Sequence, residues 1–286
     1  MEGFRQKLDL LSKNRGLRAA YCRWILSRLT STSGPRLKLS QHDSVGGWIS
    51  FSEYWAHRSR VAASTPEFSC AARSAKAALR RSVAFDVGAN IGTFTCVLAN
   101  TGFSEIHAFE PIPETFCRFK NNVKSNGLLD RCRLNCLALG RGRDLVTFRI
   151  YEDSPASNRM AMPGEKPVGK ATSTQVVAAI DLDGYCQSQN VEFIDFLKID
   201  VEGMEPYVLQ GARALLKGRK IAAILIEICP ANLRAVGLSP ADLYREFETV
   251  RYSPYALNDD GRPGAKLPLA EIEAMSLANV VLFPDA

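Results

Sequence analysis

The sequence predicts an open α/β fold on a mostly parallel sheet, preceded by a basic, mainly helical extension. Three observations carry that expectation. Val83-Ala-Phe-Asp-Val-Gly-Ala-Asn-Ile-Gly-Thr-Phe-Thr-Cys-Val-Leu98 is an apolar run that meets an acid, a glycine turn and a helical pattern; together these form the strand–turn–helix unit of parallel sheets. Ile221 to Ile228 is almost wholly apolar, as a strand buried on both faces must be. The charge is divided: residues 1–80 hold 14 Lys/Arg against 5 Asp/Glu, a net of +9, and the remainder holds 22 against 25, a net of −3. The expected division is therefore a basic, mainly helical extension over 1–80 and one α/β domain over 81–286.

At 286 residues the chain buries a full core. A basic arm on a mildly acidic domain is attracted to anionic surfaces. Eight cysteines, at 22, 70, 96, 117, 132, 136, 186 and 229, fall largely inside expected strands and helices, which favours free thiols in a reducing compartment. Cys132 and Cys136 form a C-x3-C pair, but with three histidines in the chain no metal site is expected. Early apolar residues are interrupted by Lys or Arg every few positions, and no run reaches the roughly 18 residues of a membrane span. A cytoplasmic protein is the expectation.

Phe4 to Leu29 spaces apolar residues helically among basic ones, with a break near Asn14 to Gly16. That spacing is common to surface helices, so a helix packed on its own domain is expected; peripheral contact of residues 5–28 with an anionic membrane is the rival. Residues 30–45 read as a linker and Ala71 to Leu79 as a helix, while Trp48 to Trp55 has no assigned role. In the first α/β unit, Gly88 and Gly92 leave no Cβ to obstruct a ligand, and Asp86 puts a carboxylate on the rim. A nucleotide-like ligand is expected at that helix start. A dinucleotide fingerprint from Gly88 would need glycines where Asn90 and Thr93 stand, which weakens an NAD-dependent dehydrogenase.

Glu105-Ile-His-Ala-Phe-Glu110 is a short strand ending in an acid, and an acceptor-only carboxylate at that place suits a ribose diol. His107, inside the strand, reads as core packing. A helix over Thr115 to Asn126 leads to a third strand, Arg133 to Leu139, and then to another, Asp144 to Tyr151. Ser154 to Lys170 is a long irregular loop. Val176 to Ile180 is a strand, and Asp181 caps the helix Leu182 to Gln189.

Phe193 to Asp200 ends, like the first strand, in an acid; Gly203 turns the chain and Pro206 sits in the first turn of the next helix. Asp200, Glu202 and Glu205 thus crowd one turn at the edge where Asp86 and Glu110 lie, an arrangement that calls for a cation. Glu227, near the end of its strand, is expected to face the same crevice. Ser239 to Phe247 reads as a capped helix. Arg251 to Leu257 and Asn279 to Phe283, bridged by Asn258-Asp-Asp-Gly, read as a closing antiparallel pair.

Asp86-Val-Gly-Ala-Asn-Ile-Gly92 resembles the first motif of class I S-adenosylmethionine methyltransferases. Together with Lys198-Ile-Asp-Val-Glu-Gly-Met-Glu205 it resembles the FkbM family, from about Val83 to the C-terminus. The resemblance implies a Rossmann-like seven-stranded sheet, S-adenosyl-L-methionine as cofactor, and O-methylation of a hydroxyl on a sugar, glycolipid or related metabolite. A small-molecule or glycan acceptor follows, and no nucleic acid. Asp86, Gly88, Asn90, Gly92, Glu110 and Asp200 are the expected cofactor residues, and the resemblance adds main-chain groups near Ala138 at the adenine. It also puts Ser157 and Asn158 near cofactor or substrate, with Glu202 and Glu205 as further acceptor-side candidates. Asp200 or Glu227 is the expected general base. The rivals are a non-catalytic nucleotide-binding module held by its basic arm, and the dehydrogenase.

Overall fold

The computed structural model describes residues 66–77, 82–150, 159–161 and 173–285. The readings on residues 5–28, Trp48 to Trp55, Ser157 and Asn158 lie outside them. No helix among the described residues is long and apolar enough to cross a membrane.

The elements follow in chain order: α1 (Pro66–Ala77), β1 (Val83–Val87), α2 (Thr93–Thr101), β2 (Glu105–Phe109), α3 (Pro113–Ser125), β3 (Cys132–Asn135), β4 (Ala138–Leu139), β5 (Asp144–Ile150), β6 (Arg159–Met160) and β7 (Ser173–Ile180). The second half supplies α4 (Leu182–Gln189), β8 (Phe196–Ile199), α5 (Glu205–Gln210), α6 (Arg213–Lys217), β9 (Ile224–Ile228), α7 (Pro230–Ala235), α8 (Pro240–Val250), β10 (Tyr252–Leu257), β11 (Pro263–Lys266), α9 (Leu269–Ala274) and β12 (Ala278–Pro284).

The main sheet runs β11-β10-β12-β9-β8-β1-β2-β3. Strands β3, β2, β1, β8 and β9 are parallel, and β12 enters antiparallel between β9 and β10. The seven expected strands are present, with β11 as an eighth at the edge. The Asn258–Gly261 turn leads into β11, whereas the expected antiparallel pair forms between β10 and β12.

Because both faces are covered, successive residues of each parallel strand enter different cores. Val83, Phe85, Leu197, Ile199, Ile224 and Ile226 pack with Leu182, Leu209 and Phe247 of α4, α5 and α8. Ala84, Phe196 and Leu225 pack on the other face with Cys70, Leu98 and Phe119 of α1, α2 and α3. A fully buried phenylalanine such as Phe85 or Phe196 contributes roughly 2–3 kcal/mol. The second face is the one that carries Asp86, Lys198 and Glu227, since each lies two residues along from Ala84, Phe196 and Leu225.

The third expected strand is divided in two. The chain leaves the main sheet after Asn135, whose carbonyl accepts from Glu110 N, and Ala138 pairs with Ala179 in a second sheet of order β4-β7-β5-β6. Helix α1 packs by Cys70 and Ala71 into the second core and is tied down by Arg73, which donates to Asp260 O, and by Asn279, which donates to Glu67 Oε1 at 2.8 Å. Asp181 and Ser239 cap α4 and α8 as their types predict, the second through a capping box with Asp242. The seven described cysteines are unpaired.

Candidate functional site

The site is built at the carboxyl ends of β1, β2, β8 and β9. After β1 the chain turns through Gly88 at φ +77°, Asn90 at φ +50° and Gly92 at φ +84°, the left-handed region that glycine enters without penalty. A Cβ on Gly88 would stand 1.9 Å from Asp200 O, and one on Gly92 would stand 2.2 Å from the Phe119 ring. The two glycines therefore serve close packing of the turn onto the β8 end and onto α3. Asn122, fully buried, donates to Ile91 O and fixes the turn from below. The Asn90 side-chain Oδ1 is buried with no hydrogen-bond partner among the described residues, the kind of orphan acceptor that a bound ligand satisfies.

Glu110 braces the same turn. Its Oε2 accepts from Asn90 N and its Oε1 from Ile112 N, both at 3.0 Å. The residue is 7% exposed, and burial pushes its carboxyl up to about 7 against those two hydrogen bonds. The expected ribose acid is thus also a structural brace, with its remaining lone pairs free for a diol.

Asp86 departs from expectation. It is fully buried, so its carboxylate is not on the rim. Oδ2 accepts from Thr95 Oγ1 at 2.6 Å, and Oδ1 stands 3.4 Å from Lys198 Nζ. The reason is strand parity: Asp86 is still inside β1, where its side chain points into the second core. Ala138 lies in β4, where its side chain packs with Ile112, Phe148 and Val177, so any contact it makes with an adenine is through its main chain, as expected for it.

At the end of β8, Asp200 is the acid that reaches the crevice. Its side chain is 31% exposed, and Oδ2 lies 3.2 Å from Lys198 Nζ. Glu202 adopts φ +57°, and its Oε2 accepts from Asn232 Nδ2 at 2.7 Å. That left-handed backbone on a glutamate is strain of the sort functional turns retain. Glu227 comes from β9, opposite Asn279 of β12. Oxygens of Asp200, Glu202 and Glu227 lie within 4.8 Å of one another. Burial, followed by the charges of Asp200 and Glu202, pushes the Glu227 carboxyl up to about 8.

Glu205 does not join them. Its Oε1 accepts from Val201 N and Gly203 N, both at 3.2 Å, and the residue is 3% exposed. It caps the turn before α5, shielded from solvent. His107 is buried against Phe85 with Nδ1 2.8 Å from Tyr185 Oη, and burial holds it down to about 4, so it is a neutral core group. Lys198 is the residue the sequence reasoning passed over. A lysine in a strand otherwise apolar, two positions before a strand-end acid, was the available signal.

A separate depression of about 440 Å³, lined by residues including Ser104, Glu105, Arg131 and Arg133, opens at the amino ends of β2 and β3. Ligands of open α/β sheets sit at the other edge, where the acids, the orphan Asn90 acceptor and the glycine turn converge.

Sheet order and glycine turn together define a Rossmann-like class I methyltransferase fold. The family that matches is the methyltransferase FkbM domain, over residues 86–254. The chain belongs to that family. It is 29% identical over 172 residues to the hexuronic acid methyltransferase AglP of Haloferax volcanii, covering 60% of this chain and 63% of that protein. It is 28% identical over 141 residues to methyltransferase 1 of Beauveria bassiana, covering 44% of this chain and 56% of that protein. The match thus spans less than two thirds of either relative. An O-methyltransferase structure from Bacillus cereus superposes with a TM-score of 0.41 at 14% identity, covering 76% of this chain and 78% of that one, too loosely to fix ligand or activity.

S-adenosylmethionine is the cofactor this family implies, and the residues fit it. A sulfonium and an ammonium find acidic side chains in Asp200, Glu202 and Glu227, and Asn90 supplies the unsatisfied buried acceptor.

Proposed function

We propose that the chain transfers a methyl group from S-adenosylmethionine to a hydroxyl of a sugar, glycan or similar small acceptor. The observation that carries the reading is the meeting of Asp200 and Glu227 at the ends of β8 and β9, beside the Gly88–Gly92 turn. When bound, the cofactor supplies an electrophilic methyl on a cationic sulfur. The chain's residues must hold it, align the hydroxyl and take a proton.

Gly88, Asn90 and Gly92 form the turn that receives the cofactor, Glu110 braces that turn and faces the ribose, and Asp200 complements positive charge. Glu227 is the better base of the two candidates. Asp200 is already paired with Lys198, whereas Glu227, at about 8, is largely protonated in the cofactor-free protein at neutral pH. A positive charge brought beside it drives that proton off and leaves a carboxylate poised to take the hydroxyl proton. The sugar-type acceptor is supported by the hexuronic acid methyltransferase relative. Ser157 and Asn158 remain acceptor-side candidates, and residues 5–28 a candidate for peripheral membrane contact.

Thermal shift separates this reading from its rivals. S-adenosylhomocysteine is expected to raise the melting temperature and NADH to leave it unchanged. Stabilisation by NADH alone would overturn the reading. A non-catalytic module would bind the nucleoside yet release no S-adenosylhomocysteine from S-adenosylmethionine with any of a panel of neutral, amino and acidic sugars.

A further inference from the structure

Methyl transfer as described leaves the buried cation without a role. Lys198 is 9% exposed, and its Nζ lies 3.1 Å from Gly88 O, 3.2 Å from Asp200 Oδ2 and 3.4 Å from Asp86 Oδ1. The ammonium donates to the cofactor turn at Gly88 O and forms ion pairs with the crevice acid Asp200 and with Asp86, the acid buried in β1. A lysine inside a strand is costly unless its charge is matched, and its cross-strand neighbour on β9, Leu225, shows what packing alone requires there. Burial by itself would depress its ionisation, but Asp200 and Asp86 outweigh that and hold it charged.

We infer that Lys198 is a positioning residue for methyl transfer: its ammonium clamps the Gly88 turn to Asp200 and sets the charge against which Glu227 exchanges its proton. The clamp joins the part of the site that receives the cofactor to the part that takes the proton. Glu227 is faced by Asp200 and Glu202 from the β8 turn, by Lys198 from β8, and from β12 by Asn279, which also holds Glu67 of α1. Lys198 is the one cation in that set, and its charge lowers the Glu227 carboxyl against the two acids.

The inference rests on the methyltransferase reading, and the experiment separates the two. Lys198→Met alone leaves Asp86 buried without its cation, so the working probe is the double variant Lys198→Met/Asp86→Asn, with thermal melting to establish folding. Lys198→Arg, which keeps the charge but moves the donors, is the companion. Calorimetry of S-adenosylhomocysteine reads the clamp: both variants are expected to bind about tenfold more weakly than wild type, the loss of one charged hydrogen bond at the turn.

The pH dependence of S-adenosylmethionine binding reads the charge. Wild-type affinity is expected to rise with pH and level off near the Glu227 value of about 8. The plateau moves to higher pH in the double variant and stays in place for Lys198→Arg. Ionisation of the ligand's own amine is common to all three proteins and cancels. A merely structural role would leave the plateau unmoved. The inference is overturned if the folded double variant keeps either wild-type affinity for S-adenosylhomocysteine or the wild-type plateau, or if Lys198→Arg binds S-adenosylhomocysteine at wild-type strength. A wild-type protein that binds neither nucleoside overturns the methyltransferase reading, and this inference with it.

Discussion

Two turns of this molecule share one grammar and do different work. Strand β1 and strand β8 each meet an acid, then a glycine at positive φ, then a helix. In β1 the acid is fully buried and held by Thr95 and Lys198. After β8 the acid reaches the crevice and is 31% exposed. The difference is one of register: Asp86 lies within β1, with Val87 still to follow, whereas Asp200 lies one residue beyond the end of β8. The strand residue must point into a core, and the residue past the end is free to face a ligand. Lys198, directly across from Asp86, joins the two by ion pairs to both carboxylates.

The largest expected effect falls on the contact between the turns. Gly88→Ala places a Cβ 1.9 Å from Asp200 O at a φ of +77°, and denaturant unfolding should show a loss on the order of 4 kcal/mol. Next is a matched pair. Asp86→Asn should cost about 2–3 kcal/mol, because its carboxylate is fully buried beside Lys198, where no solvent can replace the lost charge. Asp200→Asn should change stability by less than about 1 kcal/mol while weakening S-adenosylmethionine binding about tenfold. Equal stability losses in that pair, measured by denaturant melts, would break the contrast between the two turns.

Glu205→Gln sharpens the same contrast within the β8 turn. As a capping carboxylate it should cost about 1 kcal/mol when replaced and leave S-adenosylhomocysteine affinity unchanged by calorimetry. A selective loss of affinity would return Glu205 to the ligand-facing acids.

The smallest effect is a slope with pH. Glu110 and Glu205 are raised from 4.5 to about 7, and Glu227 to about 8, each chiefly by burial. A folded state that holds protons better than the unfolded chain is favoured at low pH and loses that advantage as pH rises through those values. The melting temperature of the cofactor-free protein should therefore fall as pH rises from about 4.5 to about 8. Glu227→Gln should flatten the upper part of the fall, and an unchanged slope in that variant would remove Glu227 from the set.

Much of this arrangement was legible in the chain. Glycine chemistry marked the β1 turn, Asp181 and Ser239 marked their helices, and the second motif marked the acid turn after β8. What was not legible follows from covered faces. With both sides of the sheet buried, polarity does not alternate, so nothing local told Asp86 from Asp200. Lys198 reads as a stray charge until the register sets it opposite Asp86. Strand β11, Pro-Gly-Ala-Lys, lacks every strand-forming residue type and is held by its pairing with β10. The division of the third expected strand depends on Ala179, more than forty residues away, offering Ala138 another sheet. Glu205 was ambiguous because a capping acid and a ligand-facing acid are the same residue in sequence.

A crystal structure of the protein with S-adenosylhomocysteine tests the central claim most directly. The account predicts the nucleoside at the carboxyl ends of β1 and β8, with its sulfur on the side of Asp200 and Glu227. A ligand seated instead in the depression beside Arg131 and Arg133, or with its sulfur turned away from those two carboxylates, would contradict it.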